Sequence, residues 1–232
     1  MSTKAPFGQG LKIAVIDSGV NIHHPHICAR THGVVIDPED DGSAEDTVGH
    51  GTAVTAAIQE KAPGAEYFAV KLFGASLRSS TARLIRAIEW AIEQRMDLVN
   101  LSLGTPDFEH RAVLQSLVDR AASAGVMLIS ARHTGQRPAL PGVLKSVIGV
   151  DVDWDLPRDC YRIANVDGAT CFFASGFPRN LPGIPPARNL NGISFAVANM
   201  TGFVARACEG QAQRSFDHIR DVLAAASIWS QA

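Results

Sequence analysis

Three residues of the types used in nucleophilic acyl transfer occur in the order Asp17, His50 and Ser194. Asp17 directly follows a short apolar run, His50 lies between two glycines, and Ser194 precedes an apolar helical pattern. A serine hydroxyl needs a base to become a nucleophile, and a histidine base needs a carboxylate to orient its ring. The three residues are therefore candidates for an activated serine.

Taken singly, each of these residues has a structural explanation. An aspartate after a strand commonly forms a turn, a histidine between glycines commonly lies in a loop, and a serine before a helix commonly caps it. Their order and surroundings favour the catalytic interpretation. Ser194 would then lie at the positive end of a helix dipole, where an anionic intermediate is stabilised.

Apolar runs alternate with amphipathic helical patterns along most of the chain, which predicts an α/β fold. The pattern is that of a doubly wound, mainly parallel central sheet with helices on both faces. Strands are predicted over 11–16, 65–72, 98–103, 126–129 and 147–150; helices are predicted from His50, behind Ser80, around 113–118, and over 195–207 and 216–228. In such a sheet, polar residues directly after strands are the first candidates for ligand binding.

Residues 151–191 are rich in proline and glycine, which predicts mostly loop with one short hairpin near 169–173. Phe173 belongs to this hairpin and is a candidate for an apolar subsite or for the core. The sequence has no internal repeat or linker, so residues 1–232 are predicted to form a single domain.

The composition argues against several classes of protein. The 232 residues carry a formal net charge of −2, which provides no basic field for nucleic acid or anionic lipid. No apolar run reaches the ~18–20 residues of a membrane span, and no secretory signal is apparent. The 4 cysteines are scattered and typical of reduced thiols. We therefore expect a cytoplasmic protein that binds neither nucleic acid nor membrane.

Several segments together resemble the subtilisin family of serine proteases, across about residues 10–210. They are Ile13 to Gly19, Gly49 to Val54, Ala62 to Lys71, Val99 to Gly104 and Gly192 to Ala196. The resemblance implies a subtilisin-like three-layer sandwich with Ser194 as nucleophile, His50 as general base and then acid, and Asp17 as the residue that fixes the imidazole tautomer.

The resemblance also implies where a substrate would bind. Family members pair the substrate backbone with the strand edge that Ser102, Leu103 and Gly104 match. Arg132 is the one charged residue expected nearby. It either selects an acidic group of the substrate or is simply solvated.

The chain departs from the family at the position of the oxyanion donor, which is usually an asparagine. Counting without a gap from Gly125 places Thr134 there, whereas anchoring on Gly135 places His133 there. Either side chain can donate a hydrogen bond. If neither reaches the oxyanion, the backbone N–H of Ser194 remains, and we expect a slow protease instead of an inactive one.

No metal ion or other cofactor is expected. The loop that binds calcium in many secreted relatives is missing between residues 58 and 62. Two other segments, residues 23–26 with three histidines and residues 37–42 with four acidic residues, lack the ligand spacing of a metal site and are better explained as solvated loops.

The predicted Asp17 strand begins about ten residues from the N-terminus, which predicts a small peptidase without a prodomain. We therefore expect a serine endopeptidase that acts on a peptide or protein substrate, with cleavage of a leader peptide from a precursor as the favoured role. The alternatives are a catalytically impaired peptide-binding module and a transpeptidase or macrocyclase that resolves the acyl-enzyme with an amine. The sequence leaves the oligomeric state open.

Overall fold

The computed structural model describes residues 7–36, 42–73, 79–166, 168–185 and 188–227. The strands within these ranges are β1 Lys12–Asp17, β2 Thr31–Val35, β3 Glu66–Lys71, β4 Leu98–Leu101, β5 Met127–Ala131, β6 His133–Thr134, β7 Arg137–Pro138, β8 Val147–Val152, β9 Tyr161–Val166 and β10 Ala169–Ala174. The helices are α1 His50–Gln59, α2 Thr81–Glu93, α3 Arg111–Ser123, α4 Ile193–Ala207 and α5 Phe216–Ala226.

Eight strands form one sheet in the order β2-β3-β1-β4-β5-β8-β10-β9, and all neighbours are parallel except β10 and β9. The predicted mainly parallel sheet is confirmed. Strands β2 and β3 lie on one side of β1 in this sheet, and β4, β5, β8, β10 and β9 lie on the other. The order therefore reverses between β1 and β4, and ligands of open α/β sheets bind at such a point, beyond the carboxyl ends of the strands.

Helices cover both faces of the sheet, as predicted, because successive residues of a buried strand point to opposite sides. In β1, Ile13 and Val15 face a core shared with α1, α4 and α5, whereas Ala14 and Ile16 face a core shared with α2 and α3. This alternation makes β1 apolar on both faces, which explains its uninterrupted run of apolar residues in the sequence.

Helix α2 begins as its sequence predicts. The side chain of Ser80 caps it by accepting a hydrogen bond from the backbone N–H of Arg83 at 3.2 Å.

The region 151–191 contains more strand than its composition predicts. The short hairpin predicted near 169–173 falls within one strand, β10, which pairs with β9 before it; each strand has six residues, and β10 also pairs in parallel with β8. The predicted strand over 98–103 ends at Leu101, and strand β2 was not predicted. The last predicted helix extends to 226, and residue 228 lies outside the described residues.

A buried polar contact joins the segment after α1 to the middle of α4. Lys61, directly after α1, donates from Nζ to Oδ1 of Asn199 on α4 at 2.7 Å. The amide of Asn199 in turn donates to the carbonyls of Ser175 and Phe177. Burial, with the nearby Arg158 charge, lowers the pKa of Lys61 to about 8. Asn199 therefore holds α1 and α4 in register with the loop that follows β10.

Candidate active site

Asp17 and His50 form a hydrogen-bonded pair at the carboxyl end of β1. Nδ1 of His50 lies 2.7 Å from Oδ1 of Asp17, whose side chain is 1% exposed. The same carboxylate oxygen accepts the backbone N–H of Ser18 at 2.8 Å. The carboxylate therefore fixes the ring so that Nδ1 carries a proton, which leaves Nε2 of neutral His50 free to act as a base.

The environment of His50 raises the pKa of its imidazole. Burial alone would lower this pKa, but the hydrogen bond to Asp17 and the charges of Asp17 and Asp46 outweigh it. The pKa of His50 therefore lies above the ordinary histidine value of 6.5. The neutral form of His50 therefore predominates only at a pH above that ordinary value, and its imidazolium is stabilised.

Two glycines allow helix α1 to begin at His50. Gly49 has a φ of +85°, in the left-handed region that favours glycine. A Cβ atom on Gly51 would lie 2.3 Å from the backbone oxygen of Gly19, so only glycine allows α1 to approach the end of β1 this closely. The two glycines that flank His50 are therefore required for its placement beside Asp17.

Asp46 is a second carboxylate group of the site, half-buried, which no pattern in the sequence singled out. It accepts hydrogen bonds at 2.6–3.0 Å from the hydroxyls of Ser18 and Thr52 and from the backbone N–H groups of Val48, Gly49 and Thr52. Burial alone would raise the pKa of Asp46, but these hydrogen bonds, that of the Thr52 hydroxyl first, lower it overall. Because Gly49 has no side chain to cap α1, Asp46 accepts the N–H of Thr52 in the first turn, and the hydroxyl of Ser18 accepts the N–H of Gly51.

Replacing Asp46 by alanine is expected to destabilise the protein by about 2–3 kcal/mol, because the start of α1 loses its charged acceptor. Urea unfolding measures the difference, and Asp119→Ala on the exposed face of α3 serves as the control, with a change within about 0.5 kcal/mol. Because folding lowers the pKa of Asp46, the stability that its carboxylate contributes is fully present above pH 3.8, the ordinary aspartate pKa. This stability is lost as the pH falls below that value. Equal stability of the two variants would contradict this role.

Ser194 is the second residue of α4, and its hydroxyl donates to the backbone carbonyl of Ser102 at 3.1 Å. Gly192 precedes the helix with a φ of +150° and donates from its N–H to the carbonyl of Gly176. The ring of Phe195 is buried, with its centroid 5.7 Å from that of His50. The start of α4 is therefore held between the end of β4 and the imidazole.

A buried polar network fixes the end of β4 against α4. The amide of Asn100 donates to the hydroxyl of Ser102 at 2.8 Å, and its oxygen lies 2.9 Å from the hydroxyl of Thr201. Asn100 and Thr201 are both fully buried. Asn100 lies in a segment that resembles the family, but its sequence context indicates no role, because its partner Thr201 lies 101 residues away along the chain.

The predicted substrate-binding residues lie on two neighbouring strand ends. Leu103 and Gly104 line a cavity of about 330 Å³ beyond β4, whereas Ser102 is buried. Arg132 follows β5, and its side chain is 13% exposed with Nε 3.3 Å from Oδ2 of Asp151. The positive charge of Arg132 is therefore largely balanced within the protein.

The two candidate oxyanion donors differ in their surroundings. His133 hydrogen bonds through Nδ1 to Oδ1 of Asp151 at 2.6 Å and lines a cavity together with Ile193. Thr134 is exposed and pairs with Arg137 in the β6-β7 hairpin. Of the two residues, His133 therefore shares a cavity with the first residue of α4, and Thr134 does not line that cavity.

Within the described ranges, no group of three or more His, Cys, Asp or Glu side chains could hold a metal ion. His24 and His26 line a cavity beside α1 with their rings 5.2 Å apart. Residues 37–41 of the acidic segment lie outside the described residues. Among the helices described, none is long and apolar enough to cross a membrane.

The fold and the site define a three-layer α/β protein that gathers a buried Asp–His pair and a serine at a helix N-terminus at one edge of its sheet. The family model of the subtilases, the S8 peptidases, matches residues 8–150. This chain therefore belongs to the subtilase family, a family of serine peptidases, and the resemblance noted in its sequence is confirmed. The matched residues include Asp17 and His50 and end before Ser194.

Bacterial subtilisins are among the similar sequences. Over 133 residues the chain is 34% identical to subtilisin E of Bacillus subtilis and 36% identical to subtilisin Savinase of Lederbergia lenta. Both alignments cover 53% of this chain; they cover 34% of the first protein and 48% of the second. The chain thus matches between a third and a half of the length of these relatives.

Solved structures share the fold over nearly the whole chain. A lanthipeptide protease superposes with a TM-score of 0.72 at 19% identity, over 94% of this chain and 80% of that one. The prenylagaramide maturation protease PagA superposes with a TM-score of 0.66 at 24% identity, over 92% and 81%. The architecture is therefore common to proteins of widely different sequence.

Proposed function

We propose that this protein is a serine endopeptidase that cleaves peptide bonds through an acyl-enzyme on Ser194. The observation that carries the proposal is the 2.7 Å contact between His50 and Asp17 at the sheet edge where α4 presents Ser194. In the proposed reaction, the Ser194 hydroxyl leaves the Ser102 carbonyl and donates its proton to Nε2 of His50. Asp17 holds the ring in the required tautomer and stabilises the imidazolium.

The substrate is proposed to lie along the segment after β4. Ser102, Leu103 and Gly104 would pair with the peptide backbone, and Arg132 would contribute to the neighbouring subsite. The developing oxyanion would receive hydrogen bonds from the backbone N–H of Ser194 and from the side chain of either His133 or Thr134.

The proposed role is maturation of a precursor peptide in the cytoplasm by removal of its leader. Two structural neighbours, a lanthipeptide protease and a prenylagaramide maturation protease, support this role. The free thiols of Cys28, Cys160 and Cys208 agree with a reducing compartment. A narrow substrate range follows from the proposal, and general digestion of casein would argue against it.

Labelling of the intact protein with a fluorophosphonate tests the proposed chemistry. Mass spectrometry is expected to find one adduct, on Ser194, that is absent from Ser194→Ala. Ser123→Ala, which removes an exposed hydroxyl on α3, is the matched control and should still be labelled. A folded wild-type protein that gives no adduct would instead favour the catalytically impaired peptide-binding module.

Hydrolysis and transpeptidation share this labelling step and are separated by the mass of the product. A hydrolase adds one water to the cleaved acyl fragment, whereas a transpeptidase joins that fragment to an amine. Incubation of a peptide substrate with an added amine nucleophile distinguishes the two outcomes.

A further inference from the structure

A cavity beside helix α1, the α1 cavity, lies on the side of β1 that faces away from β4. It measures about 220 Å³ and is walled by one face of α1, by the loop that follows β1, and by the loop between β10 and α4. The loop that follows β1 leads to β2, and β2 and β3 lie on the opposite side of β1 from β4. The α1 cavity and the segment after β4 are therefore separated by the end of β1, where Asp17 holds His50.

The walls of the α1 cavity are continuous with the residues of the proposed reaction. Gly49 directly precedes His50, and Ala53 follows one turn later along α1. Leu190 lies in the segment that leads to Ser194 at the start of α4. A group bound in the α1 cavity therefore lies next to the proposed general acid and the proposed nucleophile.

The proposed reaction places the leaving half of the substrate on this side of the site. His50 gives its Nε2 proton to the leaving nitrogen, so the leaving peptide begins beside His50, whereas the acyl half stays on Ser194 and along 102–104. Successive side chains of an extended peptide point to opposite sides. One of the first two residues after the scissile bond therefore turns its side chain towards α1.

The α1 cavity has the size and the surface for one apolar side chain. Its wall is largely apolar, with contributions from Ala53, Ala56, Pro178, Leu181 and Leu190. Leu190 is 51% exposed, so its side chain is accessible to a ligand. Pockets for drug-sized ligands measure roughly 300–1,000 Å³, so the smaller α1 cavity suits a single side chain.

The charged side chains on the described wall, Asp46 and Arg179, have partners within the protein. Asp46 accepts hydrogen bonds from two hydroxyls and from backbone N–H groups. Arg179 has its Nε 3.8 Å from Oε1 of Glu60, and its Nη1 donates to the carbonyl of His26 at 3.3 Å. Burial first, and then the Arg179 charge, lowers the pKa of His26, so its ring is neutral above pH 6.5, the ordinary histidine pKa. An apolar side chain therefore suits this cavity better than a charged one.

We propose that the α1 cavity binds a leucine- or phenylalanine-sized apolar side chain from one of the first two residues after the scissile bond, with Ala53 and Leu190 as specificity-determining residues. The inference rests on the proposed acyl transfer at Ser194. When the tetrahedral intermediate collapses, the C–N bond breaks, the electron pair of the oxyanion re-forms the carbonyl, and the Nε2 proton of His50 moves to the leaving nitrogen. The bound side chain holds that nitrogen beside His50 during this step.

The test is the attack of amines on the acyl-enzyme, because an incoming amine follows the path of the leaving peptide in reverse. The ester p-nitrophenyl acetate places a small acetyl group on Ser194, which leaves the subsites for the acyl half empty. The amines are dipeptide amides that carry leucine, alanine or glutamate at the first or the second position, with glycine at the other. Each amine displaces Oγ of Ser194, and its proton moves through Nε2 of His50 to Oγ. Mass spectrometry measures the acetylated dipeptide amide against acetate, and Ser194→Ala gives the uncatalysed background.

At one of the two positions, leucine is expected to react with the acetyl-enzyme about 10–100-fold faster than alanine, and glutamate no faster than alanine. Ala53→Leu fills the cavity from α1 and should reduce this preference to less than about threefold. Leu190→Ser removes an apolar wall residue at an exposed position, where the substitution leaves the core intact, and should also weaken the preference.

Two matched controls should keep the wild-type preference. Ile184→Ser removes an apolar side chain that is 44% exposed in the same loop as Leu190 but does not line the α1 cavity. Ala122→Leu adds the same atoms as Ala53→Leu on the exposed face of α3.

The outcomes separate this inference from the proposed function. A wild-type protein that forms the fluorophosphonate adduct but shows equal or undetectable reaction with the leucine, alanine and glutamate amides would overturn the inference and leave the proposed function intact. A preference for glutamate, or a leucine preference that survives in both Ala53→Leu and Leu190→Ser, would overturn it as well. A folded wild-type protein that is neither labelled by the fluorophosphonate nor acetylated by the ester would overturn both.

Discussion

Replacing His50 by alanine is expected to lower kcat for peptide cleavage by about 10⁶-fold, the loss that follows removal of the catalytic histidine from a subtilisin. The reason lies in the position of the ring between the buried Asp17 and the start of α4. Without it, no base is placed to accept the proton of Ser194, and the hydroxyl remains bonded to the carbonyl of Ser102. Single-turnover kinetics on a peptide substrate measures the acylation rate directly.

His32→Ala is the control for this measurement. His32 is also a histidine with a carboxylate partner, Glu66 at 2.9 Å, but it lies on β2 at the far side of the sheet from Ser194. Its removal should leave the acylation rate within a factor of two. A His50→Ala variant that retains a tenth or more of the wild-type rate would refute the assignment of His50 as the base.

Replacing Asp17 by asparagine is expected to lower kcat by about 10⁴-fold while the protein remains folded. One amide orientation turns the NH₂ group towards Nδ1 of His50, which forces the tautomer that has no base at Nε2. In the other orientation the oxygen still accepts from Nδ1, but the negative charge that stabilises the imidazolium is gone. Both orientations impair the same step, so the loss does not depend on which one forms.

The same variant should change the titration of His50 in a defined direction. Burial lowers the pKa of this ring, and Asp17 is the main group that raises it. We therefore expect the pKa of His50 to move from above 6.5 to below it in Asp17→Asn, as measured by NMR. Asp107→Asn, at the start of the short 3₁₀ turn before α3, retains a capping side chain and should change neither property. An unchanged pKa of His50 would falsify the assigned role of Asp17.

The elements that were predicted well are those whose residues interact locally or lie in a buried strand. Helix α2 combines a serine cap with an apolar stripe, and β1 is apolar on both faces, so each has a pattern visible in a short window. Strand β2 has only partly buried residues and exposes Gly33, so its sequence lacks an apolar pattern. Its place in the sheet comes from pairing with β3, over 30 residues further along the chain.

The hairpin of β9 and β10 is a second case in which tertiary pairing, and not the local sequence, places a strand in the sheet. A short hairpin was predicted near 169–173, within β10, but the attachment of this strand to the central sheet depends on the parallel pairing of Phe172 with Val150 in β8. That contact joins segments whose own sequences do not specify it. A composition rich in proline and glycine indicates loops on average and does not reveal a strand that tertiary pairing stabilises.

The sequence by itself singled out Asp17, His50 and Ser194 as candidates, because the motifs that carry them are local and depend on adjacent small residues. It also determined the alternation of strands and helices, through apolar periods of two and of 3.6 residues. Tertiary structure alone decided that Asp46 caps α1, that Asn100 and Thr201 hold β4 against α4, and that His133, and not Thr134, shares a cavity with Ile193. These contacts join residues that are far apart in the chain or depend on which way a loop side chain turns. The packing of the helices against the sheet decides both, and no local sequence pattern predicts them.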